Sequence, residues 1–206
     1  MKKNRDIVFH LSILSCSAIV LGIGCVFLIQ ATLGCDSLTT LFDGMEKQFG
    51  ISLSVSNLIV NTVMFVVVFI IDKKQIGIGS VVFPIATSWG ITVGMMIIPS
   101  LNSWMRIIGF ILGIICLSFA IASSSKTNCG KNPYDALCFA IMERMNIKYN
   151  IVRMTIDCLL LLLGVIMGGE YGIGTIIAVI TIGNIAMLFM TLLARWTWLI
   201  NKLKED

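Results

Sequence analysis

Six long apolar runs follow one another along the chain, at Ile7 to Ile29, Ile51 to Ile71, Ile78 to Ile98, Trp104 to Ala122, Ile151 to Met167 and Ile176 to Ala194. Each has a length in the range of about 17 to 25 residues that crosses a hydrocarbon core of about 30 Å. None alternates as a barrel strand would, and lipid offers no water to an open backbone, so all six are predicted to be helices. Two shorter stretches, Asp36 to Phe49 and Asp135 to Met145, are too long for turns and too short to span. Their apolar residues (Leu38, Leu41, Phe42, Met45; Leu137, Ala140, Ile141, Met145) fall at helical spacing. Two readings are open for them. One is an amphipathic helix lying in the membrane interface. The other is a re-entrant half-helix whose N-terminal dipole and free amides face a cavity, with Asp36 and Asp135 near its N-cap.

The pattern occurs twice. Asp36 and Asp135 are 99 residues apart, Asn61 and Asp157 are 96 apart, and the turns at Gly77 and Gly172 are 95 apart. A repeat of about 7–98 and another of about 104–199 therefore make up a single membrane domain, 1–206, of all-α class. Each repeat has three spans, an odd number, so the second enters the membrane from the opposite side. The expected architecture is a polytopic bundle of two inverted three-helix repeats, an arrangement that in secondary transporters encloses a midplane site.

Basic residues set the orientation. With both termini cytoplasmic, the inside collects Lys2, Lys3, Arg5, Lys73, Lys74, Lys126, Lys131, Arg144, Lys148, Arg195, Lys202 and Lys204, twelve in all, against Lys47 and at most Arg106 outside. That asymmetry is the positive-inside signature of a multi-pass protein of a bacterial cytoplasmic membrane, and Trp196 and Trp198 fit an inner interfacial belt. The first apolar run, about 23 residues long, exceeds the 7 to 15 of a secretory signal and reads as a span.

Composition narrows the function. The chain of 206 residues is 57% hydrophobic and 13% charged, with a mean hydropathy of +0.97, more apolar side chain than a soluble fold of this size could cover. The net charge of +4 comes from loop residues and not from a basic stripe, so the bilayer is the expected partner and nucleic acid is not. The cysteines Cys16, Cys25, Cys35, Cys116, Cys129, Cys138 and Cys158 form no CxxC and have only His10 beside them as a histidine, so they read as small apolar fillers. Cys35 and Cys129 fall on opposite faces and cannot pair. No metal or cofactor is expected. HExxH, a Walker loop and a serine motif with a usable histidine are all missing, so an enzyme is not expected.

The candidates for chemistry are polar residues inside spans, which are costly there and normally face protein or water. Arg153 and Asp157, four apart, share a helix face as an ion pair or as a proton or cation site. Asn57 and Asn61 stand at the matching positions of the first repeat and supply hydrogen bonds without charge. Asp36 and Asp135, then Thr87, Ser88 and Trp89 in the third span and Asn184 in the last, complete the set. Three GxxxG pairs, Gly90/Gly94, Gly109/Gly113 and Gly164/Gly168, are assigned to close helix packing. The hydroxyls of Ser80 and Thr175 are expected to cap the third and sixth spans.

The Asp-x-Leu elements, the VRMTID run at Val152 to Asp157 and the Gly-Gly-Glu-Tyr-Gly-Ile-Gly-Thr turn at Gly168 to Thr175 together resemble the YczE/YyaS/YitT-like family of small bacterial integral membrane proteins. The first-half element of that family reads like Pro-Trp-Asp-x-Leu; here it is Gly34-Cys35-Asp36-Ser37-Leu38, and Asp157 stands where the family often has Glu. The resemblance implies an inner-membrane, transporter-like protein and names no substrate. The expected function is a small secondary transporter or permease for a small-molecule solute, acting as a homodimer because one six-helix unit encloses little volume. The alternatives are the substrate-binding membrane subunit of an ATP-driven vitamin-type transporter and a non-transporting accessory membrane protein.

Overall fold

The computed structural model describes the backbone of residues 2–127 and 131–202 and the side chains of 7–127 and 131–194. The described residues form α1 (Lys2–Ala31), α2 (Ser37–Phe49), α3 (Leu53–Ile71), α4 (Ile78–Ile97), α5 (Ser103–Ser124), α6 (Pro133–Met145), α7 (Tyr149–Ile166) and α8 (Ile173–Lys202), with one 3-10 turn at Lys73–Gln75 and no strand. All six predicted spans are helices long and apolar enough to cross a membrane, with ends within three residues of the apolar runs. The belt tryptophans Trp196 and Trp198, the basic residues Lys2, Lys3, Arg5, Arg195, Lys202 and Lys204, and Cys129 lie outside the residues whose side chains are described.

Each half runs long, short, long, long, and the two short helices, α2 and α6, both have 13 residues. Both close on a left-handed residue, Gly50 (φ 68°) and Asn146 (φ 52°), the two residue types that enter this conformation at least cost. The packing carries the same duplication. Helix α1 packs on α4 and α5, and α5 packs on α1 and α8. Helix α2 packs on α7, and α6 packs on α3. Exchanging the halves maps this set of pairs onto itself, so each half lends its short helix to the other half's second span.

The short helices are inserted among the long ones. Ser37 and Thr39 to Gly44 of α2 are buried, as are Pro133, Tyr134, Ala136, Cys138 and Ala140 of α6. Their N-terminal halves are thus interior structure, which a helix lying on an interface would not be. Small residues permit the insertion: a Cβ on Gly164 of α7 would meet the Leu41 N of α2 at 2.7 Å, and one on Gly22 of α1 would meet the Thr87 O of α4 at 2.3 Å. Gly90, Gly94, Gly109 and Gly113 are packing glycines as expected, with a neighbouring atom 2.3 to 3.0 Å from where a Cβ would stand. Gly168 is not. It takes φ 87° with no atom within 4 Å of a Cβ, so its role is the chain reversal after α7, and Gly169, facing Thr40 O at 2.2 Å, makes the close approach instead.

Large apolar side chains face outward, among them Ile70, Met96, Trp104 and Ile173, while Thr39, Ser56, Asn57, Thr87 and Ser118 are buried. An apolar exterior over a polar interior reverses the soluble pattern and suits lipid as the solvent.

Candidate functional site

A cavity of about 120 Å³ lies between the two halves. Its walls include Leu21 and Cys25 of α1, Asn57 and Asn61 of α3, Thr87 of α4, Leu117 and Ile121 of α5, and Ala178, Val179, Ile182 and Gly183 of α8. The N-termini of both short helices open into it, bringing Asp36 to Thr39 from α2 and Asn132, Tyr134 and Asp135 from α6. Arg153 and Asp157 of α7 complete the lining. A space of this size and polarity takes a few waters or a solute of a few heavy atoms.

Asp157 is fixed from three directions. Ser37 Oγ donates to its Oδ1 in a short bond, Tyr134 OH donates to the same oxygen at 2.8 Å, and Arg153 Nε lies 4.0 Å from Oδ2. Arg153 also faces Asp135 at 3.7 Å and donates to Tyr149 OH at 3.2 Å, which donates in turn to Asp135 Oδ1 at 3.1 Å. Asp135 and Asn132 close a reciprocal pair at the start of α6: the Asp135 N–H donates to Asn132 Oδ1 at 2.7 Å, and Asn132 Nδ2 donates to Asp135 Oδ2 at 2.8 Å. Asn132 is therefore the N-cap of α6, and Asp135 sits one turn in, where a carboxylate meets the positive end of the helix dipole.

The first-half counterpart carries no charge. Asn61 Nδ2 donates to Asn57 Oδ1 at 2.8 Å, and Asn57 Nδ2 donates to Ser88 Oγ at 2.8 Å and to the Pro84 carbonyl at 3.0 Å. This network ties α3 to α4 and leaves the Asn61 side chain on the cavity. Asp36 is the N-cap residue of α2, yet its carboxylate makes no capping bond, and Oδ1 is buried with no hydrogen-bond partner. Burial pushes this carboxyl above the ordinary carboxylate range.

Seven of the ten residues singled out from the sequence thus line one cavity: Asp36, Asp135, Arg153, Asp157, Asn57, Asn61 and Thr87, while Ser88 accepts a hydrogen bond from Asn57. Trp89 and Asn184 do not line it. Trp89 is 60% exposed on the outer face of α4, and Asn184 is exposed on α8 with its amide turned back to the Ile180 carbonyl. Trp89 stands about 100° around its helix from the buried Ser88, and Asn184 the same angle from Gly183, an exposed residue at the cavity edge, which a repeat offset does not reveal. Ser37, Thr39, Tyr134 and Tyr149 belong to the candidate site as well, although the sequence pattern does not single them out, and Asn132 joins them as the cap of α6. The signal was adjacency: at the tip of an inserted helix, the residues flanking the aspartate face the same space.

Two polar clasps tie the far ends of the short helices to the opposite half. The Glu170 N–H, in the turn before α8, donates to Asp43 Oδ2 of α2 at 2.6 Å, and Lys47 pairs with Asp43 at 2.8 Å and with Glu170 at 3.5 Å. In the other, Gln75, in the turn before α4, donates to Glu143 Oε1 of α6 at 3.0 Å and accepts from Lys131 Nζ at 2.7 Å. Gln75 and Glu170 are 95 apart and hold equivalent places. The turns that follow also match: the Gly77 N–H bonds Ser80 Oγ and the Gly172 N–H bonds Thr175 Oγ1, each at 3.2 Å, so both expected hydroxyl caps form.

Residues 8–191 match the family of unknown function DUF6198. An uncharacterized protein of Haemophilus influenzae is 28% identical over 187 residues, 90% of this chain and 85% of that protein. The uncharacterized protein YyaS of Bacillus subtilis is 23% identical over 181 residues, 86% of this chain and 90% of that protein. No solved structure matches the chain.

Proposed function

This chain belongs to the DUF6198 family, and since that family supplies no activity, we propose from the cavity that the protein is a small secondary transporter of a polar solute. One observation carries the reading: a cavity with apolar walls and a cluster of polar groups is ringed by side chains from both repeats, with the N-termini of two inserted helices opening into it. Half-helices meeting at a repeat interface are the arrangement by which transporters bind within the bilayer. In this reading the repeats are inverted, both termini are cytoplasmic, and the membrane is the bacterial inner membrane, because the basic loops fall on one side under that topology. The two clasps are then gates on opposite faces. Releasing Glu170 from Asp43 opens the cavity outward while Gln75 holds Glu143, and the reverse exchange opens it inward.

Asp157 and Arg153 serve in this scheme as the fixed polar wall, and Asn57 and Asn61 offer amide groups to the solute. Three carboxylates, Asp36, Asp135 and Asp157, stand against one guanidinium, while two helix N-termini contribute about half a positive charge each. The balance is negative with Asp36 ionised and near zero with it neutralised, which in either case disfavours an anionic solute.

Substrate-free labelling tests this. Gly183 lines the cavity, and no atom lies within 4 Å of a Cβ there, so a cysteine fits. In a background without native cysteines, Gly183→Cys is expected to react with a membrane-impermeant thiol reagent from either face, in right-side-out and in inverted vesicles. Reaction from one face only, or none, would refute alternating access. Cysteines at Gln48 and Arg144, exposed and equivalent near the ends of α2 and α6, are expected to label from opposite faces; labelling from the same face removes the inversion.

A further inference from the structure

Among the described residues, the interior carboxylates Asp43, Asp135 and Asp157 are matched to donors, and Asp36 stands apart from them. Asp43 has the Glu170 N–H and Lys47; Asp135 has Asn132, Tyr149 and Arg153; Asp157 has Ser37, Tyr134 and Arg153. Asp36 Oδ1 is buried in the same cavity with no hydrogen bond of good geometry, the neighbouring donors to this carboxyl being the hydroxyl and N–H of Thr39, and Asp36 forms no ion pair among the described residues. Two hydroxyl oxygens share its condition. Thr39 Oγ1 and Thr87 Oγ1 line the cavity without a partner, on residues 0% and 2% exposed. Buried polar atoms are nearly always bonded, and an orphaned one costs about 1 to 3 kcal/mol, so three on one cavity mark a missing partner.

The surroundings define that partner. Burial raises the Asp36 carboxyl, the Thr39 hydroxyl and N–H work against that as hydrogen-bond donors, and Asp157 on α7, a like charge, adds to it; the Cys25 thiol on α1 and Cys35 lie close enough to feel the Asp36 charge. Arg153 is already shared between Asp157 and Asp135. An isolated carboxylate in such a place is neutralised by a proton or by a bound cation. A carboxylate with two hydroxyl oxygens is a donor set that suits a hard cation. We infer that Asp36, with Thr39 and Thr87, holds a small monovalent cation, a sodium ion or a proton, at the tip of α2.

This deepens the transport reading by placing the coupling ion at Asp36, leaving Asp157 as wall, and it rests on that reading only for the coupling. Binding is tested without transport, by thermal unfolding of the detergent-purified protein. At pH 8 and constant ionic strength, replacing N-methylglucamine chloride by sodium chloride is expected to raise the unfolding temperature and then saturate, as a ligand of the folded state does. The rise should vanish in Asp36→Asn and shrink in Thr87→Val. If the proton is the ligand, sodium has no effect, and the unfolding temperature of the wild type falls as pH rises from 5 to 9 while that of Asp36→Asn does not. The sign follows because a carboxyl held neutral by the fold costs stability once it must ionise. A wild type and an Asp36→Asn that respond alike to sodium and to pH overturn the inference. Should Asp36→Asn not fold, the double variant Thr39→Ala, Thr87→Val carries the test, and an undiminished response in it overturns the sodium site. A cation response without two-sided labelling at Gly183 would sink the transport reading alone, and two-sided labelling without a cation response would sink this one alone.

Discussion

Ser37 on α2 and Asp157 on α7, 120 residues apart in the chain, meet across the cavity as hydroxyl donor and carboxylate acceptor. Tyr134, from the opposing short helix, donates to the same oxygen. One carboxylate from the second repeat therefore gathers the tips of both inserted helices. Removing either donor, by Ser37→Ala or Tyr134→Phe, is expected to cost about 1.5 to 3 kcal/mol, the range for a bond to a charged group. The two losses should not add, because each leaves the other donor on the same oxygen. Unfolding of the single and double variants in detergent measures this; a double variant as stable as wild type would show that Asp157 is not held there.

Arg153 answers to two carboxylates, and that changes what a charge reversal can do. Were Arg153 and Asp157 a simple pair, exchanging them would restore stability lost in either single reversal. With Asp135 at 3.7 Å from the Arg153 guanidinium, the exchange puts a carboxylate against a carboxylate. The double reversal is expected to stay destabilised, and adding Asp135→Asn to recover part of the loss. Full recovery in the double reversal would assign Arg153 to Asp157 alone.

At the clasp that joins α2 to the turn before α8, the aspartate should matter more than the lysine. The Asp43 side chain is 5% exposed and accepts a backbone N–H, whereas Lys47 is 44% exposed. Asp43→Ala leaves a buried amide unpaired, about 1 to 3 kcal/mol, while Lys47→Ala removes an exposed ion pair, about 0 to 1 kcal/mol. Burial weighs against the Lys47 ammonium, but its bond to Asp43 and the charges of Asp43 and Glu170 outweigh it and raise its pKa. A raised lysine contributes fully below its unfolded value of about 10.4 and loses that contribution only as pH climbs through the higher folded value. The Lys47→Ala deficit should therefore be constant across neutral pH and disappear only in alkali. A larger loss from Lys47→Ala than from Asp43→Ala would reverse the assignment.

Two glycines within helices should respond in opposite ways to the same change. A methyl on Gly22 would stand 2.3 Å from the Thr87 carbonyl and 2.7 Å from the Ile91 amide, both backbone, so neither can swing aside. Gly22→Ala is expected to abolish monodisperse purification. Gly183→Ala meets nothing within 4 Å, and replacing a helical glycine with alanine stabilises by about 0.5 to 1 kcal/mol. Size-exclusion profiles and unfolding temperatures decide; a well-behaved Gly22→Ala would refute the close α1–α4 approach.

Much of this protein was legible in its sequence because the signals were local. Runs such as Ile78 to Ile98 need only length and hydropathy to be recognised as spans, and the paired spacings of Asp36 with Asp135 and Gly77 with Gly172 reveal the duplication. The polar residues most costly to bury, Arg153 and Asp157, are conspicuous in an apolar run, and they do line the cavity. What a linear pattern omits is the angle around a helix relative to partners not adjacent in the chain. For that reason the repeat offset that pairs Trp89 with Asn184 leaves a cavity wall and packing both open for Trp89, and only the structure shows that it faces outward.

The sequence by itself determined that six apolar helices of membrane-crossing length are laid out twice with a short helix in each half, since hydropathy and turn chemistry are properties of each segment alone. Only the tertiary structure decided that α2 packs on α7 and α6 on α3, and hence that Ser37 and Tyr134 converge on Asp157 while Asp36 is left with no ion-pair partner and an unbonded Oδ1. Those relations depend on which backbones can come close, and that is set jointly by residues such as Gly164 and Leu41 that lie more than a hundred positions apart.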